Sequence, residues 1–413
     1  MVITNKDKLI KYLITLLPIA LVLSIFFSEL ILLIISIFFV RDYFLERNIE
    51  KNWFNIFLII FVFYIAASSI SISQELNLQS TFFYFRFLLY FFGIIYYLKK
   101  LNIYVNLIKS FVFTASILII DGIFQFIFGF NIIGLPQIHP GRVSSFFGDE
   151  LILGSYLVRL LPFFLIFFIF NFKNKKILRL VFLLSLLFIV LLSGERTAIF
   201  LLLLSLFIFF IFLKKFRKTI YIIFTFFLIS LSILVTFNKS YNERYLYNVI
   251  NSFGLWDKKK DGKLTMSFFN KENEIRKINI FSKQHEDHYL TAYNMFSDKY
   301  IFGHGPKSFR VQCKNEKYGV SEISCATHPH NILMQFLSEL GLVGFIFLLM
   351  FHTLLINELI KIIKNKNNLG EEREILIFSL TGLIVSIFPF VPSGNFFNNW
   401  LNIILILNLA NYI

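Results

Sequence analysis

Residues 327–363 read THPHNILMQFLSELGLVGFIFLLMFHTLLINELIKII. From Asn331 to Ile363 the apolar pattern runs for 33 residues. That is about 50 Å if helical, against a hydrocarbon core of about 30 Å. A helix of this length must tilt, protrude or break, and Gly341 and Gly344 mark the place for a break. Pro329 disfavours helical geometry at His328, so His330 or Asn331 stands at the helix start. A segment of this kind belongs in a bilayer, and the rest of the chain reads the same way.

The 413 residues are 57% hydrophobic with mean hydropathy +0.72, a composition of polytopic membrane proteins. The 57 phenylalanines, with many Ile, Asn and Lys, follow AT-rich codon usage and carry no function. Apolar stretches long enough to span lie near 9–27, 29–46, 53–73, 81–98, 104–128, 151–171, 177–193, 197–213, 219–237, 333–357, 374–392 and 397–412. The first two touch around Ser28–Glu29, which makes the count eleven or twelve. The first lacks a small-residue cleavage site and reads as a retained span. The fold class is an all-α polytopic membrane protein with about twelve transmembrane helices.

Lys and Arg set the orientation. Lys6, Lys8 and Lys11 precede the first span; Arg41, Arg47 and Lys51 follow the second; Lys99 and Lys100 follow the fourth. Lys173, Lys175, Lys176 and Arg179 follow the sixth, Lys214, Lys215, Arg217 and Lys218 the eighth, and Lys361, Lys364, Lys366 and Arg373 the tenth. Every second short loop is basic and therefore cytoplasmic, with both chain ends on that side. The net charge of +15 is thus topology, and nucleic acid is not implied as a partner.

Three regions follow: a transmembrane bundle over 1–237, a large outer loop over 238–329, and C-terminal helices over 330–413. The loop is too long for the charge rule to act on it. Asp261-Gly262 suits a hairpin turn. The segment around His288, Ala292 and Met295 suggests a short helix lying on the membrane, with His285 and His288 of HEDH on a solvated face rather than as two metal ligands at i, i+3. Both cysteines, Cys313 and Cys325, lie in this loop. In an oxidising compartment they form a disulfide worth about 3 kcal/mol, the alternative being two free thiols. No internal repeat is visible.

Charges in or near spans are costly and mark function. Arg142, Arg196 and Arg310 sit at the outer surface, and Arg86 near the outer end of the fourth span. Arg159 lies deeper, with Asp121 of the fifth span at similar depth as its expected partner; a buried structural pair and a functional one both remain open. Arginine forks suit phosphate oxygens, and a diphosphate headgroup needs two or more. Snorkelling at a helix end is the alternative for Arg196.

A helix N-terminus lowers the pKa of an adjacent histidine and keeps it a neutral base. His330 is placed for that role, a structural helix cap being the alternative. His328 and His330 have no nearby Cys or carboxylate to complete a metal set, so no metal or cofactor is expected.

The run His330-Asn331, nine residues, then Gly341-x-x-Gly344 resembles the signature of the O-antigen ligase and O-antigen polymerase superfamily. GHGPKSFR (303–310) looks like the glycine-rich segment before it, SGERTA (193–198) like the arginine turn near the middle, and GRVSSFFGDELILGSYL (141–157) like the arginine loop before a central span. The motifs cover roughly residues 140–345 in order. The resemblance implies a GT-C-like, metal-independent inverting glycosyl transfer at the periplasmic face of the bacterial inner membrane. The donor would be a glycan on undecaprenyl diphosphate. His330 would be the base, Arg196, Arg142 and Arg310 the diphosphate ligands, and His328, Asn331, Arg159, Asp121, Gly341 and Gly344 their support. Polymerase, with a lipid-linked repeat as acceptor, is slightly favoured over ligase, with lipid A-core. A polysaccharide flippase is the reading from another class; the one-sided placement of the charges and the missing repeat oppose it. A peptidoglycan polymerase of similar build would use an outer-loop acid, for which Asp149 and Glu150 are present.

Overall fold

The computed structural model describes residues 4–46, 53–71, 82–171, 175–252, 256–258, 264–266, 281–364 and 370–412. The Asp261-Gly262 turn and Arg47, Lys51, Lys173 and Lys366 lie outside the described residues. The longer helices are α1 (Asn5–Leu23), α2 (Ile25–Glu46), α3 (Trp53–Ser71), α4 (Arg86–Leu101) and α5 (Tyr104–Phe128). Then come α6 (Leu153–Arg159), α7 (Leu161–Asn171), α8 (Lys176–Leu192), α9 (Arg196–Phe212) and α10 (Arg217–Phe237). After α11 (Lys283–Asp298) follows α12, built from Ile332–Gln335, a π turn Phe336–Leu340 and Gly341–Lys364. The chain closes with α13 (Glu371–Ser386) and α14 (Asn399–Tyr412). Strands β1 (Trp256–Lys258) and β2 (Leu264–Met266) form a short antiparallel pair.

Among the described residues, each of the twelve apolar stretches contains a helix. Among the described residues, three helices are by themselves long and apolar enough to cross a membrane: Tyr104–Phe128, Lys214–Phe237 and Ile332–Ile362. A fourth candidate is the pair α6 and α7, bent by 46°. The expected single helix over 151–171 is therefore broken, and the reason is local. Pro162 has no N–H to give the carbonyl of Val158, so the helix stops and restarts around Leu160. The join of α1 and α2 lies at Ser24, four residues before the expected Ser28–Glu29. The Ser24 hydroxyl accepts from Phe26 N at 3.2 Å and starts the second helix, while Ser28 is buried inside it. At the centre, α13 packs on α7, α9, α12 and α14.

The break expected in α12 falls at Gly341, whose φ is +65°. A break leaves helix carbonyls and N–H groups without partners. Residues 300–305 supply them. His304 N donates to Ser338 O at 3.0 Å and Gly305 N to Glu339 O at 2.8 Å. Leu342 N donates to Tyr300 O at 2.8 Å and Val343 N to Ile301 O at 3.2 Å, while Tyr64 of α3 donates to Leu340 O at 2.6 Å. Backbone meets backbone here, which is why glycine stands on both sides. A Cβ on Gly303, itself at φ +70°, would lie 2.5 Å from the Glu339 carbonyl carbon. Gly303→Ala is expected to loosen this joint by about 1–3 kcal/mol. Hydrogen exchange should show lost protection at His304, Gly305 and Leu342; wild-type protection there would contradict the joint's importance.

Candidate active site

Asn331 caps α12: its Oδ1 accepts from Met334 N at 3.0 Å, and its Nδ2 donates to Pro389 O at 2.9 Å. The cap is thereby tied to the segment between α13 and α14. His330, just before it, has φ +56°, a conformation non-glycine residues adopt rarely and chiefly where surroundings enforce it. The enforcing contact is Ser393 N donating to His330 O at 2.9 Å. His328 Nε2 donates to Ser393 O at 3.2 Å, which leaves Nδ1 to accept from Thr327 Oγ1 at 2.9 Å.

Helix α11 adds two more rings. His285 and His288 are one helical turn apart on one face. Their ring centroids lie 5.5 and 5.3 Å from that of His330, and His328 lies 4.0 Å from it. The solvated face expected for HEDH is thus wrong for His288, which is 0% exposed. Neither of its ring nitrogens meets hydrogen-bond geometry, with the Ile323 backbone beside it. His288 stacks on His330 at 21°, while His285 and His328 are tilted against it at 57° and 43°; among the described residues no three His, Cys, Asp or Glu side chains could hold a metal ion.

Burial, more than the helix end, keeps these rings neutral. It pushes His330 down to about 3, with the neighbouring histidines adding to the effect. Burial likewise lowers His328 and His285 to about 4, and lowers His288.

Three arginines gather nearby. Gln125 Oε1 accepts from Ser144 N at 2.9 Å and Ser145 N at 2.7 Å, and Asp121 takes Ile132 N at 2.8 Å and the Ser145 hydroxyl. These bonds fix the loop that carries Arg142. Gly194 (φ +65°) lets the arginine turn approach closely; a Cβ there would collide with the Gly141 carbonyl. Arg244 Nε donates to Gly194 O. Arg142, Arg196 and Arg244 thus share one electrostatic neighbourhood with Glu195. Burial lowers Arg142, and lowers Arg244 to about 10, which leaves Arg244 charged at neutral pH. The buried Glu195, which is raised by desolvation, accepts from Gly154 N at 2.7 Å and from Ser155. Arg196 is exposed, and among the described residues its guanidinium has no hydrogen-bond partner.

Arg244 was not singled out by sequence reasoning. It sits seven residues past α10, in NERY, with no glycine beside it; its only signal was a position just beyond an outer helix end. The expected Arg159–Asp121 pair does not form. Both Asp121 oxygens are taken up by the loop, whereas Arg159 Nη1 donates to Ser155 O at 3.2 Å and lies in the field of Glu195. Two helices at equal depth need not face each other.

Arg310 does not join the three arginines. It sits beside Lys307 and His328. Glu339, fully buried, accepts from Phe309 N at 3.0 Å and from Gln335 Nε2 at 2.9 Å, which holds this segment on α12. Gln335 Oε1 accepts from Phe396 N at 2.9 Å, extending the network to the start of α14. Cys313 and Cys325 are joined, with Cα atoms 5.0 Å apart.

Residues 180–349 match the family described as O-antigen ligase. That stretch is similar to the O-antigen ligase family. The match runs from α8 into α12 and includes Arg196, Arg244, all four clustered histidines, Arg310, Gly341 and Gly344. Arg142, Asp121 and Arg159 lie before it. No curated protein matches the chain. The match agrees with the resemblance carried by the histidine and glycine motifs, and the long apolar helices are those of a helical membrane protein.

Proposed function

We propose that the protein is an inverting glycosyltransferase that moves a glycan from undecaprenyl diphosphate to a saccharide hydroxyl. It acts at the periplasmic face of the inner membrane, in a twelve-span topology with both ends in the cytoplasm. His330 takes the proton of the acceptor hydroxyl. The freed oxygen bonds to the donor's anomeric carbon from the side opposite the diphosphate. The bond from that carbon to the diphosphate oxygen breaks, and its electron pair leaves with the diphosphate. Arg142, Arg196 and Arg244 stabilise the charge that builds there. A diphosphate leaves readily, so the chain supplies a base and positive charge and needs no general acid.

The observation that carries this reading is a neutral histidine in a left-handed backbone conformation, in a cluster whose His285 lies in the field of Arg196. His328, hydrogen-bonded to Ser393, positions it, as does the Asn331 cap.

The test is a host lacking this gene, with surface lipopolysaccharide resolved on a gel and the lipid-linked precursors located. Wild type restores the long-chain ladder. Without the gene, lipid-linked glycan accumulates on the periplasmic side. Accumulation on the cytoplasmic side would mean a flippase and overturn the proposal.

A further inference from the structure

The loop after α5 carries a surface that the proposed reaction does not use. No Asp, Glu, Lys or Arg occurs between Asp121 and Arg142. Within that stretch Ile127, Phe128, Phe130, Ile132, Ile133 and Ile138 are all exposed, from 47% at Phe130 to 66% at Ile133. A run of exposed large apolar side chains on a loop marks an interaction surface.

The loop does not rise away from the end of α5; it turns back along it. Ile132 N donates to Asp121 Oδ1 at 2.8 Å. Asp121 precedes Phe128, the last residue of α5, by about 10 Å along the helix axis. Helix α5 is long and apolar enough to cross a membrane. In the topology proposed above it starts at the cytoplasmic side, and Asp121 lies about 26 Å from that start, inside a hydrocarbon core of about 30 Å. The tip of the loop therefore stands at a depth where lipid surrounds α5. Irregular backbone at that depth must find its hydrogen-bond partners within the protein. Here Asn131 N donates to Leu135 O at 2.8 Å, Leu135 N to Asn131 Oδ1 at 2.7 Å, Gly134 N to Asn131 O at 2.9 Å and Gln137 N to Gly129 O at 2.8 Å. Asn131 is 0% exposed beneath this turn. The Phe128 and Phe130 rings pack on Phe124, with centroids 4.4 and 5.8 Å from it. Polar atoms face inwards and hydrocarbon faces out, which suits lipid and not water.

We propose that residues 127–138 form a re-entrant loop inserted into the hydrocarbon of the outer leaflet, an anchor that carries Arg142 at the level of the lipid headgroups. The proposal rests on the span topology given above and not on the reaction. The link from the tip to the arginine segment is made by three side chains. Asp121 accepts from Ile132 N and from the Ser145 hydroxyl. Asn131 Nδ2 donates to Ser145 O at 3.3 Å. Gln125 Nε2 donates to Leu135 O at 3.4 Å, while its Oε1 accepts from Ser144 N and Ser145 N. His139 and Arg142 are bridged backbone to backbone. The inserted tip and the arginine segment thus move as one piece, and the bilayer sets the height of both.

Spin labels on the full chain, reconstituted in vesicles of phosphatidylethanolamine and phosphatidylglycerol, test this. The two native cysteines are joined to each other, so each introduced thiol is the only free one. Collision of each label is read with oxygen, which concentrates in hydrocarbon, and with a water-soluble nickel chelate. Ile229→Cys, at an exposed position of α10, is the lipid reference, and Glu150→Cys, exposed on the outer loop before α6, the aqueous one. Ile133→Cys should match Ile229→Cys, with oxygen collisions dominant. His139→Cys should fall between the two references. Ile133→Cys reading like Glu150→Cys overturns the insertion. Low collision with both reagents at Ile133→Cys means that protein covers the loop, from this chain or a second copy, and overturns it too. His139→Cys matching Glu150→Cys overturns the headgroup level of the Arg142 segment. An aqueous Ile229→Cys overturns the span topology itself, which separates that failure from failure of the loop.

Discussion

His330→Ala is expected to lower the rate of glycan transfer by about 10²–10⁴-fold in a purified assay, the usual worth of a positioned general base. Donor binding should change little, because in the proposed reading the arginines and not the imidazole hold the diphosphate. The pH profile adds a second readout. Burial places His330 near 3, below the ordinary histidine value of 6.5. A group lowered in this way is neutral and competent above its own pKa and loses competence as pH falls through it. The acid limb of kcat/KM should therefore lie well under 6.5. A limb at 6.5 or above, or wild-type turnover by His330→Ala, would remove His330 as the base. The same shifts make docking of α11 pH-dependent. His285, His288, His328 and His330 all protonate more readily undocked. Docking should thus be fully favourable above pH 6.5 and weaken as pH drops from there towards about 4.

Arg244→Gln and Arg196→Gln should each cost about 10²–10³ in kcat, the scale for removing one group that stabilises developing charge. The effect should fall on kcat more than on KM, since the leaving diphosphate gains charge in the transition state. Arg196→Lys should recover only part of the loss, because an ammonium lacks the planar fork. Arg244 is the sharper test. Its Nε already holds the Gly194 carbonyl, so the variant removes both a charge and a hinge of the arginine turn. Circular dichroism and detergent-phase elution separate those effects: unchanged folding with unchanged kcat would exclude Arg244 from the diphosphate site.

The disulfide, the glycine joint and the Glu339 network share one physical role. They fix the segment between α11 and α12 against the helix whose cap follows His330. Preorganisation of that kind lets a few charges act without first being ordered by substrate.

Much of this was legible in the residues alone. Apolar runs fix helices because hydrogen-bonding groups in lipid must be satisfied within the chain, and among the described residues each of the twelve runs contains a helix. Pro329, Asn331 and the paired glycines announced where α12 begins and where it breaks, since proline, a capping side chain and left-handed backbone act locally. Other features depended on tertiary packing. Nothing near Gly303 in sequence says that its neighbour is Glu339, or that Tyr64 closes the same break from α3. His288 looked like a solvated histidine because periodicity reports which residues share a face, and not what covers that face. Arg159 and Asp121 were expected at one depth, yet each takes partners in its own loop or helix, because packing and not hydropathy decides which side chains meet. Arg244 joined Arg142 and Arg196 because two glycines, Gly141 and Gly194, let three outer segments approach backbone to backbone, a contact set by the assembled bundle.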